Sequence, residues 1–121
     1  MPVIHSTALA FTPLPGRDSA DPLAYGPATG SSVRVVRIAP GPRTPHRHPH
    51  SSEVAYVAAG TGVAWEDGRR TAVTAGDLIA IPRGVPHATV AGDSGLQLVC
   101  FFPHADLSSN IEELRAPRID G

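Results

Sequence analysis

Residues 41–60 read GPRTPHRHPHSSEVAYVAAG. Three histidines, His46, His48 and His50, alternate with other residues, and a carboxylate, Glu53, follows within a few positions. In an extended chain successive side chains point to opposite faces, so His46 and His48 share one. Imidazole nitrogens and a carboxylate oxygen are ligands that divalent first-row metals accept. Pro40, Pro42, Pro45 and Pro49 exclude a helix here and confine the segment to an edge strand or an extended loop. A second stretch, residues 76–87 (GDLIAIPRGVPH), ends in His87 after a strand punctuated by Pro and Gly. The two stretches are expected to form opposite walls of one metal site built from His46, His48, Glu53 and His87. Pro49 leaves another pairing open, in which His48 and His50 are the ligands.

Outward from this stretch the chain is a series of short apolar runs separated by turn signals. Val33–Ala39 (VRVVRIA) is β-branched and reads as a strand with Arg34 and Arg37 on opposite faces. Either one arginine points inward, which requires an anionic partner, or both reach solvent at the strand ends. Glu53–Ala59 reads as a strand whose Glu53, Ala55, Val57 and Ala59 face is lined by small side chains, leaving room beside a metal. Val57 is therefore a candidate pocket residue. Gly60-Thr61-Gly62 reads as a turn, and Asp67-Gly68, between Val63–Glu66 and Arg69–Val73, is a strong hairpin signal. Further turns lead into Leu78–Ile81 and His87–Val90, and Gly92–Gly95 leads to the last strand, Leu96–Phe102. Gln97, Val99 and Phe101 share one face of that strand; Gln97 and Phe101 are candidate pocket residues if the face is inward. Arg43 and Arg47 flank the histidines, either as solvated surface groups or to attract a carboxylate substrate. Many short strands with such turns indicate an all-β sandwich or barrel.

The ends differ in character. Residues 1–31 are rich in Pro and Gly and read as an irregular arm, with a short extended piece near Val3–His5, belonging to the same domain as residues 32–121. In the tail, Ser109-Asn110-Ile111-Glu112 matches a capping box and Pro117 would stop a helix, so the spacing predicts a short helix over 109–115.

The 121 residues suit one domain, and 41% hydrophobic content with no long apolar run fits a soluble globular chain. Ten arginines, no lysine and eleven acidic residues leave a formal charge of −1, which makes no electrostatic case for nucleic acid or an anionic membrane as partner. The N-terminus does not read as a signal peptide, so a cytoplasmic location is the expectation. Cys100 is the single cysteine and lies in an apolar run, where a buried, inert thiol is expected.

The motifs resemble those of the cupin superfamily, in a small single-domain form. Gly41, His46-x-His48, four residues, Glu53, six residues and Gly60 are similar to the first cupin motif, with Gly41 one residue nearer His46 than usual. Gly76, Pro82, Gly84 and His87 match the second motif, whose final asparagine is replaced by Ala91. The resemblance covers residues 41–91 and implies a jelly-roll β-barrel with His46, His48, Glu53 and His87 around one divalent transition metal, iron by preference, with manganese, nickel, zinc or copper as alternatives. It favours His46 with His48 over His50, which becomes a loop or supporting residue behind the ligands. It implies a metal-dependent enzyme for a small organic metabolite, with an Fe(II)-type dioxygenase or oxidase as the leading expectation. A redox-neutral cyclase, isomerase or lyase of a natural-product pathway and a non-catalytic ligand- or metal-binding protein are the alternatives, because the fold hosts many chemistries. A homodimer with exchanged N-terminal arms is the expected assembly.

Overall fold

The computed structural model describes residues 3–25 and 30–121; Met1, Pro2 and positions 26–29 of the expected arm lie outside the described residues. The strands are β1 Phe11–Leu14, β2 Arg17–Ala20, β3 Ser32–Ile38, β4 His46–Arg47, β5 Glu53–Glu66, β6 Arg69–Thr74, β7 Leu78–Ile81, β8 His87–Phe102 and β9 Glu112–Glu113. All pairings between them are antiparallel. One edge-to-edge path runs β1-β2-β3-β8-β4-β9, and β5 joins β8 to β6 and β7. The sheet therefore curls on itself as a jelly-roll barrel, with the long strands β5 and β8 shared between its two halves. Among the described residues no helix is long and apolar enough to cross a membrane.

Alternation decides what faces inward. In β5, Glu53, Ala55 and Val57 are buried while Val54, Tyr56 and Ala58 are exposed. In β8, Leu96, Leu98, Cys100 and Phe102 are buried, and the intervening residues are not. With Val36 and Ile38 of β3 these side chains make one core cluster. A smaller cluster of Ala88, Val90 and Ile119 packs under Trp65. Arg34 lies on the inward face of β3 and has its anionic partner, Asp21, at 3.3 Å. Arg37 faces out, its guanidinium 4.1 Å from the ring centroid of Phe11.

Four expectations need correction. Gly60-Thr61-Gly62 and Gly92–Gly95 do not end strands: β5 and β8 run through them, paired with each other across register shifts at Val57/Ala59 and Gly60/Gly62. At the first an extra residue, Ala58, bends β5 without ending it; at the second Thr61 faces the four residues Gly92–Gly95, which loop out of the β5–β8 ladder. Gly60 has φ +86°, and a Cβ there would collide with the Gly95 carbonyl, so the close approach of the two strands requires glycine. The arm is not wholly irregular: β1 and β2 form a hairpin that pairs with the β3 edge, and His5, extended as expected, leads into a 3-10 turn at Ser6–Ala8. The helix over 109–115 is absent. Glu112–Glu113 pairs with His46–Arg47 instead, and Ser109 Oγ donates to the Asp106 carbonyl. The capping-box pattern loses to tertiary pairing because a helix here would carry only Ile111 and Leu114 as apolar contacts. By contrast, the Asp67-Gly68 hairpin forms as read, with φ +46° and +86°.

Candidate metal centre

Glu53 opens β5 and pairs with Ile81 of β7; His87 opens β8 and pairs with both Glu66 and His46. His46 lies on β4, and His48 follows it one residue beyond the strand on the same side, as the period of two demands. The ligand atoms of His46, His48, Glu53 and His87 all lie within 4.8 Å of one another, and all four residues are buried. The imidazole centroids are 4.4–5.1 Å apart. His50 takes no part. It is exposed and stacks on His104 at 5.5 Å between centroids, so its side chain does not support the ligands either.

The hydrogen bonds settle where protons sit on two of the rings. His48 Nδ1 lies 2.8 Å from the Asn110 carbonyl, and His87 Nδ1 lies 2.9 Å from the Val85 carbonyl. A carbonyl only accepts, so both Nδ1 atoms carry the proton and, in the neutral ring, both Nε2 atoms present lone pairs. Those Nε2 atoms lie 3.0 and 3.1 Å from the same oxygen, Glu53 Oε1. The His48 contact has ion-pair distance but not hydrogen-bond alignment, and His48 Nε2 and His46 Nδ1 are buried without a hydrogen-bond partner. Lone pairs converging on a carboxylate repel unless the rings are protonated or a cation sits between them. Burial holds His46 well below the ordinary imidazole range, with His87 and Arg17 adding to the effect, so that ring stays neutral. Burial raises Glu53; the His48 and His87 contacts lower it by more, but only through rings whose Nε2 also carries a proton, and with neutral rings a cation among them would do the same. Three imidazoles and one carboxylate thus fit a divalent metal ion.

The cluster opens on a cavity of about 40 Å³, whose walls include Val36, Leu98, Cys100 and Phe102 and three arginines, Arg17, Arg34 and Arg43. Arg17 pairs with Glu113 at 2.9 Å and Arg34 with Asp21. Among the described residues Arg43 has no carboxylate partner. Its Nη1 donates to the Thr89 carbonyl at 2.9 Å and to Thr89 Oγ1 at 3.3 Å, while its Nε is buried without an acceptor. Burial, helped by Arg17, lowers Arg43 to about 10, which still leaves it charged at neutral pH. Burial, with Glu53 nearby, pushes the Cys100 thiol well up, in keeping with an inert thiol.

The expected pocket residues Val57, Gln97 and Phe101 do not line this cavity. Val57 lies deeper in the core at 0% exposure, Phe101 is 43% exposed, and Gln97 sits on the outer face with it. The opposite parity of β8 is the inward one, because four apolar side chains there outweigh a glutamine, a valine and a phenylalanine. Arg43 and Asn110 are the residues that sequence reasoning underrated. Arg43 carried a signal in its position three residues before His46; Asn110 was hidden inside the capping-box pattern.

Several solved structures share the fold. A variant of Streptomyces Pac13 with uridine superposes with a TM-score of 0.77 at 17% identity, covering 100% of this chain and 93% of that one. Pac13 is described as a nucleoside dehydratase. Lactobacillus farciminis oxalate decarboxylase, in a formate complex, gives 0.76 at 24% identity over 91% of this chain and 35% of that one. Bacillus subtilis oxalate decarboxylase gives 0.72 at 22% over 89% and 30%. This chain thus spans about a third of the decarboxylases, and at such identities the likeness shows the fold alone. No curated protein matches the sequence. The cupin domain model matches residues 34–102, the span that carries every ligand of the cluster, and on that match the chain belongs to the cupin family.

Proposed function

We propose that this protein is a metal-dependent enzyme that acts on a small anionic metabolite, with oxygen-dependent oxidation at an iron-type centre as its reaction. The observation that carries the metal-dependent reading is the convergence, in a buried site, of two imidazole Nε2 atoms on one carboxylate oxygen at 3.0 and 3.1 Å, each ring being held through Nδ1 by a backbone carbonyl. His46, His48, Glu53 and His87 would hold the ion, which when bound supplies a Lewis-acidic centre with open positions for substrate and oxygen. The chain's own residues do the rest. Arg43, charged and lacking a carboxylate partner among the described residues, offers a carboxylate its guanidinium. Arg17 and Arg34 add positive potential while remaining tied to Glu113 and Asp21. Val36, Leu98 and Phe102 keep the cavity apolar and exclude bulk water. At about 40 Å³ the enclosed space favours a substrate of few atoms.

Among the described residues the cavity lining holds no lysine, tyrosine or aspartate, and its only histidines are the ligands. Apart from the four ligands and the arginines, the Cys100 thiol, whose proton burial holds on, is the one titratable proton donor of the described lining, which favours oxidation over redox-neutral chemistry. The redox-neutral reading has one observation in its favour: the solved structures compared above are described as a nucleoside dehydratase and oxalate decarboxylases. Iron-loaded protein offered a panel of small carboxylates, with an oxygen electrode and product analysis, separates the possibilities. Substrate-dependent oxygen uptake is the expected result. Turnover without uptake would establish the redox-neutral reading, and binding without turnover would establish a non-catalytic one. A homodimer is proposed as the assembly: Val54, Tyr56, Leu78 and Phe101 are exposed on neighbouring strands of one outer face, and a second copy would cover them. A monomeric mass by light scattering would refute it.

A further inference from the structure

Asn110 is 0% exposed although it lies in a segment without helix or strand. Every polar group of its side chain is engaged. Its Nδ2 donates to Ser51 Oγ at 2.8 Å, and its Oδ1 accepts from the His50 backbone N–H at 2.8 Å. Its own carbonyl accepts from His48 Nδ1, and its N–H donates to the Leu107 carbonyl at 2.9 Å. One residue of the C-terminal strap thus grips three of the four positions after Arg47: His48 by its ring, His50 by its backbone and Ser51 by its hydroxyl.

We infer that Asn110 is a positioning residue that sets the tautomer and orientation of His48 for metal binding. This rests on the metal-centre reading proposed above. The physical argument is one of leverage. His48 lies beyond the two-residue strand β4, and no sheet pairing includes it; its carbonyl accepts from the Gly84 N–H at 2.9 Å, which fixes its backbone but leaves the ring to be oriented. Among the described hydrogen bonds, the Asn110 carbonyl is what binds His48 Nδ1. A carbonyl on an untethered strap would move with the strap; the side-chain amide ties it to the segment that carries the ligand. Groups that accept the second ring N–H of a ligating histidine set its orientation and basicity, and their loss weakens metal binding. Asn supplies both the donor and the acceptor that Ser51 Oγ and the His50 N–H require, and alanine supplies neither.

The test titrates Co(II) into metal-free wild-type protein, Asn110→Ala and Ser51→Ala, and follows the cobalt absorption spectrum. It also records the thermal midpoint of each metal-free protein and the 15N shifts of the His48 ring. Asn110→Ala should weaken Co(II) binding roughly 10- to 100-fold, alter the cobalt spectrum and abolish the single Nδ1–H tautomer of His48. Ser51→Ala, which keeps the His50 bond, should lose about threefold in affinity with the same direction of ring shift. If Asn110→Ala does not fold, the Ser51→Ala result decides. A lowered thermal midpoint with unchanged affinity, spectrum and tautomer would reduce Asn110 to a structural clasp and overturn the inference alone. Failure of the wild type to bind Co(II) would sink the metal-centre reading and the inference together.

Discussion

The two halves of the metal centre are built differently. Glu53 and His87 begin the two longest strands and are aligned by ladders that run through the barrel. His46 and His48 stand on a two-residue strand and the loop after it, and a C-terminal strap holds both: Glu113 pairs with His46, Leu114 N–H donates to the Pro45 carbonyl, and the Asn110 carbonyl accepts from His48. The barrel half is inseparable from global folding. Besides the strap, only the His46–His87 pairing and the Gly84 N–H bond to the His48 carbonyl tie the other half to the barrel among the described residues, and segments held by so few bonds open at lower free energy than core strands. Metal affinity can therefore be lost from the strap side with the barrel intact, whereas damage on the barrel side costs both.

The largest effect should come from the charge in the barrel half. Glu53→Gln removes the only carboxylate of the cluster. Metal content by elemental analysis should fall from about one ion per chain to a trace, a loss of affinity of more than about 100-fold, beyond what supporting groups contribute. Retained stoichiometric metal would show that the imidazoles suffice. Next, Arg43→Ala strips the Thr89 carbonyl of a buried donor and should cost about 2 kcal/mol by chemical denaturation. It should also raise KM for a carboxylate substrate more than it lowers kcat. An unchanged KM would remove Arg43 from substrate binding.

The pH dependence of the metal-free protein probes both halves at once. His46 has its folded pKa depressed, so below the ordinary value of 6.5 the unfolded chain binds a proton that the native state does not. Stability then falls as pH drops, by up to about 1.4 kcal/mol per pH unit for one such group. Glu53 is also depressed, so its contribution is present above 4.5 and fades below it, in the same direction. Denaturation midpoints between pH 7.5 and 4.5 should decline steadily; a flat profile would mean that His46 is protonated in the folded state. The smallest effect is a control. Gly68→Ala, at φ +86° in an open turn, should cost about 1 kcal/mol and leave metal content unchanged.

Legibility followed the range of the interactions. The histidines, Glu53 and the Asp67-Gly68 hairpin were readable because spacing along an extended chain or within a two-residue turn is a local property. Parity along β8 was readable too, but not its sign: Gln97 and Phe101 form as regular an alternating set as Leu98 and Cys100, and only packing against β3 and β5 decides which set is inside. The strap failed for the opposite reason. Its local pattern was strong, yet Asn110 and Glu112–Glu113 found partners about sixty residues or more away in the chain.

The sequence by itself determined that imidazoles and a carboxylate recur at ligand spacing in an all-β chain, since residue type and a period of two need no partner to be read. Tertiary structure alone decided that Arg43 is buried beside them, that the arm folds as a hairpin on β3, and that the tail clasps His48. Each of these depends on which distant segments meet. That is set by the burial of whole faces and the closure of the sheet, and no window along the chain contains it.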